Sequence, residues 1–93
     1  MGVIRIVLVR LLAGAGDEAA GIVAAAREVF PTIPGVVDFE AGVASDDWNV
    51  VLIVHFARIE DVEAYRVHPV HARFVEQELK PRMERMEARN FST

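Results

Sequence analysis

The chain alternates between stretches apolar at nearly every position and stretches apolar at every third or fourth, and these two periods locate its elements. Val3-Ile4-Arg5-Ile6-Val7-Leu8-Val9-Arg10-Leu11 reads as a strand apolar on both faces, with one arginine directed to each side. Gly14-Ala15-Gly16 breaks it, and Asp17 is placed to cap a helix. Ala19, Ile22, Val23, Ala26 and Phe30 recur at helical spacing, which predicts an amphipathic helix over Asp17 to Phe30. Pro31 and Pro34-Gly35 end it, Val36 to Val43 forms a second strand, and Ser45-Asp46-Asp47 makes a turn. Trp48 to Phe56 is a third strand, with Val50, Leu52 and Val54 on one face and Val51, Ile53 and His55 on the other. Ile59 to Val67 is a short helix, and a second helical piece runs from Pro69 to about Lys80, with His71, Phe74, Val75 and Leu79 on one face. Met83 to Phe91 fits a charged helix or an edge strand. A strand is expected for its final portion, because three strands alone would leave an edge open. The charged residues from Arg82 to Arg89 read as solvated surface.

Strand, helix, strand, strand, helix, strand is the order of the ferredoxin-like split βαββαβ class, an α+β fold. In that layout both helices cover one face of an antiparallel sheet and leave the other face open. Here the third strand is apolar on both faces and the first nearly so. Each fully buried Val or Ile contributes about 1.5–3 kcal/mol, so several left in water drive association. The expected answer is one domain over residues 1–93 that forms a homodimer, its two sheets face to face as a barrel, with Val51, Ile53 and His55 at the interface.

Composition narrows the partners. The chain has 93 residues, 53% of them hydrophobic, a share high enough to fit a partner-covered face. A net charge of −4 without a basic run argues against nucleic acid and anionic membranes. The absence of cysteine rules out disulfides, thiolate metal sites and cysteine nucleophiles. Met1 to Leu12 is apolar, but Arg5, Arg10 and its β-branched residues favour a strand over a signal peptide. No apolar run approaches the roughly 20 residues that span a bilayer, so a cytoplasmic protein is expected. Gly14-Ala15-Gly16 lacks the lysine and spacing of a phosphate-binding loop, and no nucleotide or other cofactor is expected.

Candidate chemistry concentrates in Tyr65-Arg66-Val67-His68-Pro69-Val70-His71. Proline restricts the residue before it and starts helices well, so the chain breaks at His68 and restarts at Pro69. His68 reads as a capping joint. Tyr65 and His71 then stand at a helix-to-helix corner beside core-type residues. An imidazole with pKa near 6.5 can take a proton at neutral pH, and a buried phenol can donate to a developing oxyanion. The alternative is a structural corner, with the ring of Tyr65 packed in the core and His71 hydrogen-bonded in place. Metal binding by His68 and His71 is disfavoured, because the pair lacks the Glu-flanked arrangement of zinc helices. The expected ligand pocket is bounded by Val7, Val9, Ile22, Val23, Ala26, Leu52, Val54, Phe74 and Val75, with room left by Ala24-Ala25-Ala26. It suits a small hydrophobic or aromatic ligand; the alternative is that these side chains simply fill the core.

The apolar first strand, Ile33-Pro34-Gly35-Val36, Phe56, and above all Tyr65 with His68-Pro69-Val70-His71, Phe74 and Pro81 resemble the stress-responsive dimeric α/β-barrel family. The resemblance covers nearly the whole chain and implies a ferredoxin-like fold and a barrel dimer. The family does not share one function, but one plant member is a polyketide cyclase whose tyrosine and histidine match Tyr65 and His71. By that resemblance His71 removes a proton next to a carbonyl and Tyr65 donates to the enolate oxygen. The cyclase carries histidines where this chain has Arg5 and Val50, so two polar groups of its pocket are changed here, one to a permanent cation. Arg5 in that position suits a carboxylate or enolate in a pocket; the alternative is that it simply projects from the sheet. The readings are therefore a cofactor-independent cyclase or isomerase, a non-catalytic binding or stress-protective dimer, and a cofactor-free monooxygenase of the same architecture.

Overall fold

The computed structural model describes residues 2–93, so only Met1 of the expected first segment lies outside it. Four strands form one antiparallel sheet: β1 (Val3–Leu11), β2 (Val36–Val43), β3 (Val50–Phe56) and β4 (Met83–Ser92), in the order β2-β3-β1-β4. The helices α1 (Ala19–Val29), α2 (Ile59–Arg66) and α3 (Pro69–Phe74) complete the ferredoxin-like order expected from the sequence. β1 and β3 are the central strands, which is why their sequences are the most apolar.

Burial alternates along them with the period of a strand. Val3, Val7, Val9 and Leu11 of β1 and Val50, Leu52, Val54 and Phe56 of β3 are buried on the helix side. Ala19, Ile22, Val23 and Ala26 of α1, Phe30, and Phe74 and Leu79 beyond α2 close the core over them.

Several boundaries differ from expectation. Asp17 does not cap α1; Gly16–Glu18 forms a 3₁₀ turn first, and Glu18 precedes the helix without a side-chain cap bond. The two acids still place negative charge near the positive end of the helix. Phe30–Thr32 is a separate 3₁₀ turn, not the last turn of α1. Trp48 lies outside β3, because its N–H is held by Asp46 Oδ1 at 3.0 Å in the preceding turn. Asn49 then anchors the strand to β1, donating its N–H to Val9 O at 2.8 Å and accepting from Leu11 N at 2.7 Å.

The helix after Pro69 changes type: Val75–Leu79 is a π-helical turn, closed by Lys80 N–H on Val75 O at 2.9 Å. β4 takes the whole of Met83–Ser92, where the sequence supported a strand only at the end. Its register with β1 runs from Leu11↔Met83 to Val3↔Ser92, so the long apolar β1 supplies the pairing that local sequence did not reveal. Arg82 is no free surface charge either: it meets Glu18 Oε1 at 2.7 Å and donates to the carbonyls of Gln77 and Glu78 at the helix end.

One glycine is required by geometry. Val36 N–H bonds Ile33 O across Pro34-Gly35, and Gly35 has φ +94°, the pattern of a proline-glycine type II turn. A Cβ there would stand 3.0 Å from Asp61 Cβ, so the entry to β2 packs directly on α2.

Candidate functional site

Tyr65 stands in the last turn of α2 and points into the core, with only 1% of its surface exposed. Its ring contacts Phe56 edge-on at 5.1 Å, Phe30 at 5.9 Å and the His71 imidazole at 4.4 Å between centroids. Phe30 also meets His71 and Phe74 edge-on, at 6.0 and 5.0 Å. It is the aromatic hub of the corner, a role its place on a helical face did not announce.

The break at proline fixes the rest. His68 adopts an extended backbone before Pro69, as pre-proline sterics require, and its Nδ1 accepts from Val70 N–H at 3.1 Å. This is the capping role expected of it. His71, one turn on, is half-buried and places Nδ1 3.0 Å from Arg66 O. A carbonyl can only accept, so Nδ1 carries the proton and Nε2 of the neutral ring is left as a base. Both Nδ1 atoms are thus engaged with backbone groups.

Arg5 enters the same region from β1, on the helix side, opposite Val54 of β3 and Asn90 of β4. It donates from Nη1 to Asn90 Oδ1 at 3.0 Å, while its Nε is shut off from solvent without a partner. Asn90 went unnoticed in the sequence; the register of β4 opposite Arg5 would have revealed it.

Electrostatics sort the three groups. Burial pushes the Tyr65 hydroxyl up to about 12, against a smaller opposing pull from Arg5, so it stays a protonated donor at neutral pH. Burial also holds His71 below its ordinary value, with the charges of Arg5 and Arg66 adding to the effect and the Arg66 carbonyl opposing it. The corner therefore combines a neutral base, a protonated phenol and a fixed cation.

The remaining expected pocket residues have a different setting. Val7, Val9, Ile22, Val23, Ala26, Val50, Leu52, Val54 and Phe74 belong to the buried core, and Val75 packs against it. Ala25, Val29, Val70, Arg73 and Phe74 border a cleft of about 130 Å³ on the helix layer, the nearest feature to the room expected beside the alanine run. Val51, Ile53 and His55 lie half-buried on the opposite face of the sheet, as their alternation required. Among the described residues, Asp38, Glu40 and His55 are the metal-ligating types gathered closely, and they lie on that far face too.

A family model described as the stress responsive A/B barrel domain matches residues 3–93. No curated protein matches the chain. Among solved structures, a dimeric protein of unknown function with a ferredoxin-like fold from Bacteroides fragilis is similar at 22% identity and TM-score 0.83, over 99% of this chain and 96% of that one. A Dabb family protein from Mesorhizobium loti is 24% identical with TM-score 0.80, over 100% and 98% of the two chains. The hydroxynitrile lyase of Passiflora edulis is 17% identical with TM-score 0.76, over 97% and 91%.

Proposed function

From the premise that the chain belongs to the stress responsive A/B barrel family, we propose that it acts on a small enolisable carbonyl compound by cofactor-independent proton transfer, as a face-to-face dimer. The observation that carries the reading is the His71 ring, with Nδ1 on a backbone carbonyl and Nε2 left as base beside the Tyr65 phenol. His71 Nε2 takes the proton from the carbon next to the carbonyl, and the electron pair moves to the carbonyl oxygen. Tyr65 donates to that oxygen, and the Arg5 cation stabilises the enolate formed. Ring closure follows when the enolate carbon attacks a second carbonyl, whose oxygen takes the proton back from His71; with an unsaturated substrate, double-bond migration follows when His71 returns the proton to the γ carbon of the dienolate instead. That a protein of similar structure is a hydroxynitrile lyase supports this fold as a host for an enzyme site. The dimer is supported by the apolar open face and by the dimeric B. fragilis relative. A cytoplasmic setting belongs to the same reading.

The test is turnover of poly-β-ketone and β-diketone substrates by the purified protein. His71→Ala is expected to lower kcat by about 10²–10⁴ and Tyr65→Phe by about 10²–10³. Undiminished turnover in His71→Ala would sink the proposal.

The burial of Tyr65 favours a second reading, in which the corner only holds α2 and α3 together in a non-catalytic binding dimer. That reading expects both substitutions to lower Tm and to leave any ligand affinity unchanged.

A further inference from the structure

On the sheet face turned away from the helices, β2 and β3 bring together three side chains that the corner does not use. Asp38 lies opposite His55 in the antiparallel register, and Glu40 follows two residues along, on the same face. This grouping depends on a bulge. Val36 pairs with Phe56 and Asp38 with His55, which leaves Val37 as the extra residue of β2. Without that insertion Asp38 would face Val54 and point to the helix side. One added residue thus moves a carboxylate next to an imidazole.

One ligand atom from each of Asp38, Glu40 and His55 lies within 4.8 Å of the other two. His55 Nε2 stands 3.5 Å from Glu40 Oε2, yet it is shut off from solvent and makes no hydrogen bond. Leaving such a polar atom unsatisfied costs about 1–3 kcal/mol, which a cation in this position would remove. Around an ion bound at about 2.1 Å, tetrahedral ligands sit about 3.4 Å apart, so the His55–Glu40 spacing already matches one edge. Asp38 and Glu40 are exposed and free to close the remaining distance by rotamer change. A nitrogen donor with two carboxylates suits zinc and its first-row neighbours better than Mg²⁺ or Ca²⁺, which prefer oxygen alone.

We propose that Asp38, Glu40 and His55 form a binding site for a zinc-type divalent cation on the open face of the sheet. The site is separate from Tyr65 and His71 and independent of the proposed carbonyl chemistry. Titration calorimetry of tag-free protein with Zn²⁺ in a non-chelating buffer tests it, with Co²⁺ as a spectroscopic probe. The expected result is saturable uptake of one ion per chain and the strong visible absorption of tetrahedral Co²⁺. His55→Ala is expected to weaken binding at least about tenfold, with smaller losses in Asp38→Asn and Glu40→Gln, while His71→Gln binds as the parent does. Unsaturable heats with the parent protein would overturn the proposal, as would undiminished binding in His55→Ala or a loss caused by His71→Gln.

Discussion

The two faces of the sheet use the same kinds of residue and end in opposite states. Toward the helices, Val3, Val7, Val9, Val50, Leu52 and Val54 are at most 5% exposed, sealed by Phe30, Tyr65 and Phe74. On the other face Ile4, Ile6, Leu8, Val51 and Ile53 have only their strand neighbours for cover and stay half-buried. Charge is arranged differently as well. The covered face admits one cation, Arg5, and holds it against Asn90 beside Tyr65. The open face carries Asp38 and Glu40 on one outer strand and Arg85, Glu87 and Arg89 on the other, around an apolar centre. Apolar content alone therefore does not define a core. The covered face is a core because helices reach it, and the open one stays half-buried because none does.

This contrast can be broken from either side. The largest effect is expected on the covered face, where Phe30→Ala removes the ring that joins Phe39, Tyr65, His71 and Phe74. Urea denaturation should show a loss of about 3–5 kcal/mol; a loss below about 1 kcal/mol would mean that the aromatic cluster does not hold the helix layer. On the open face, Ile53→Asp should leave the secondary structure by circular dichroism intact and weaken self-association at least about tenfold, about 1.4 kcal/mol, in equilibrium sedimentation. An unchanged dimer would place the interface elsewhere, and an unfolded variant would make this face part of the monomer core.

The smallest effect is a pH step. Because burial lowers the pKa of His71 in the folded chain, the unfolded chain takes up its proton first as pH falls. The contribution of His71 is thus present above the ordinary value of 6.5, declines as pH drops through it, and levels off below the folded pKa. Urea midpoints measured across this range should show the decline in the parent and lack it in His71→Gln. Equal profiles would show that the imidazole titrates as it does in water.

Much of the layout was legible from local pattern. The alternation in Val50 to Phe56 separates the faces of β3, and Pro69 fixes the break that makes His68 a cap and sets His71 one turn beyond it. β4 was only partly legible: Met83–Ser92 has no apolar alternation, since as an edge strand it buries little. The start of β3 was missed because side-chain bonds from Asp46 and Asn49 set it, and the start of α1 because a 3₁₀ turn closed by Glu18 N–H on Ala15 O precedes the helix.

The sequence by itself determined where strands and helices lie, which residues turn the chain, and that β1 and β3 carry more apolar surface than one layer of helices can cover. These are consequences of period and of backbone restriction, which act within a few residues. The tertiary structure decided what stands beside what. Arg5 meets Asn90 across 85 positions of sequence, and Asp38 meets His55 only because a bulge at Val37 shifts the register. Such neighbours are chosen by strand pairing and by the packing of whole layers, and no local pattern encodes them.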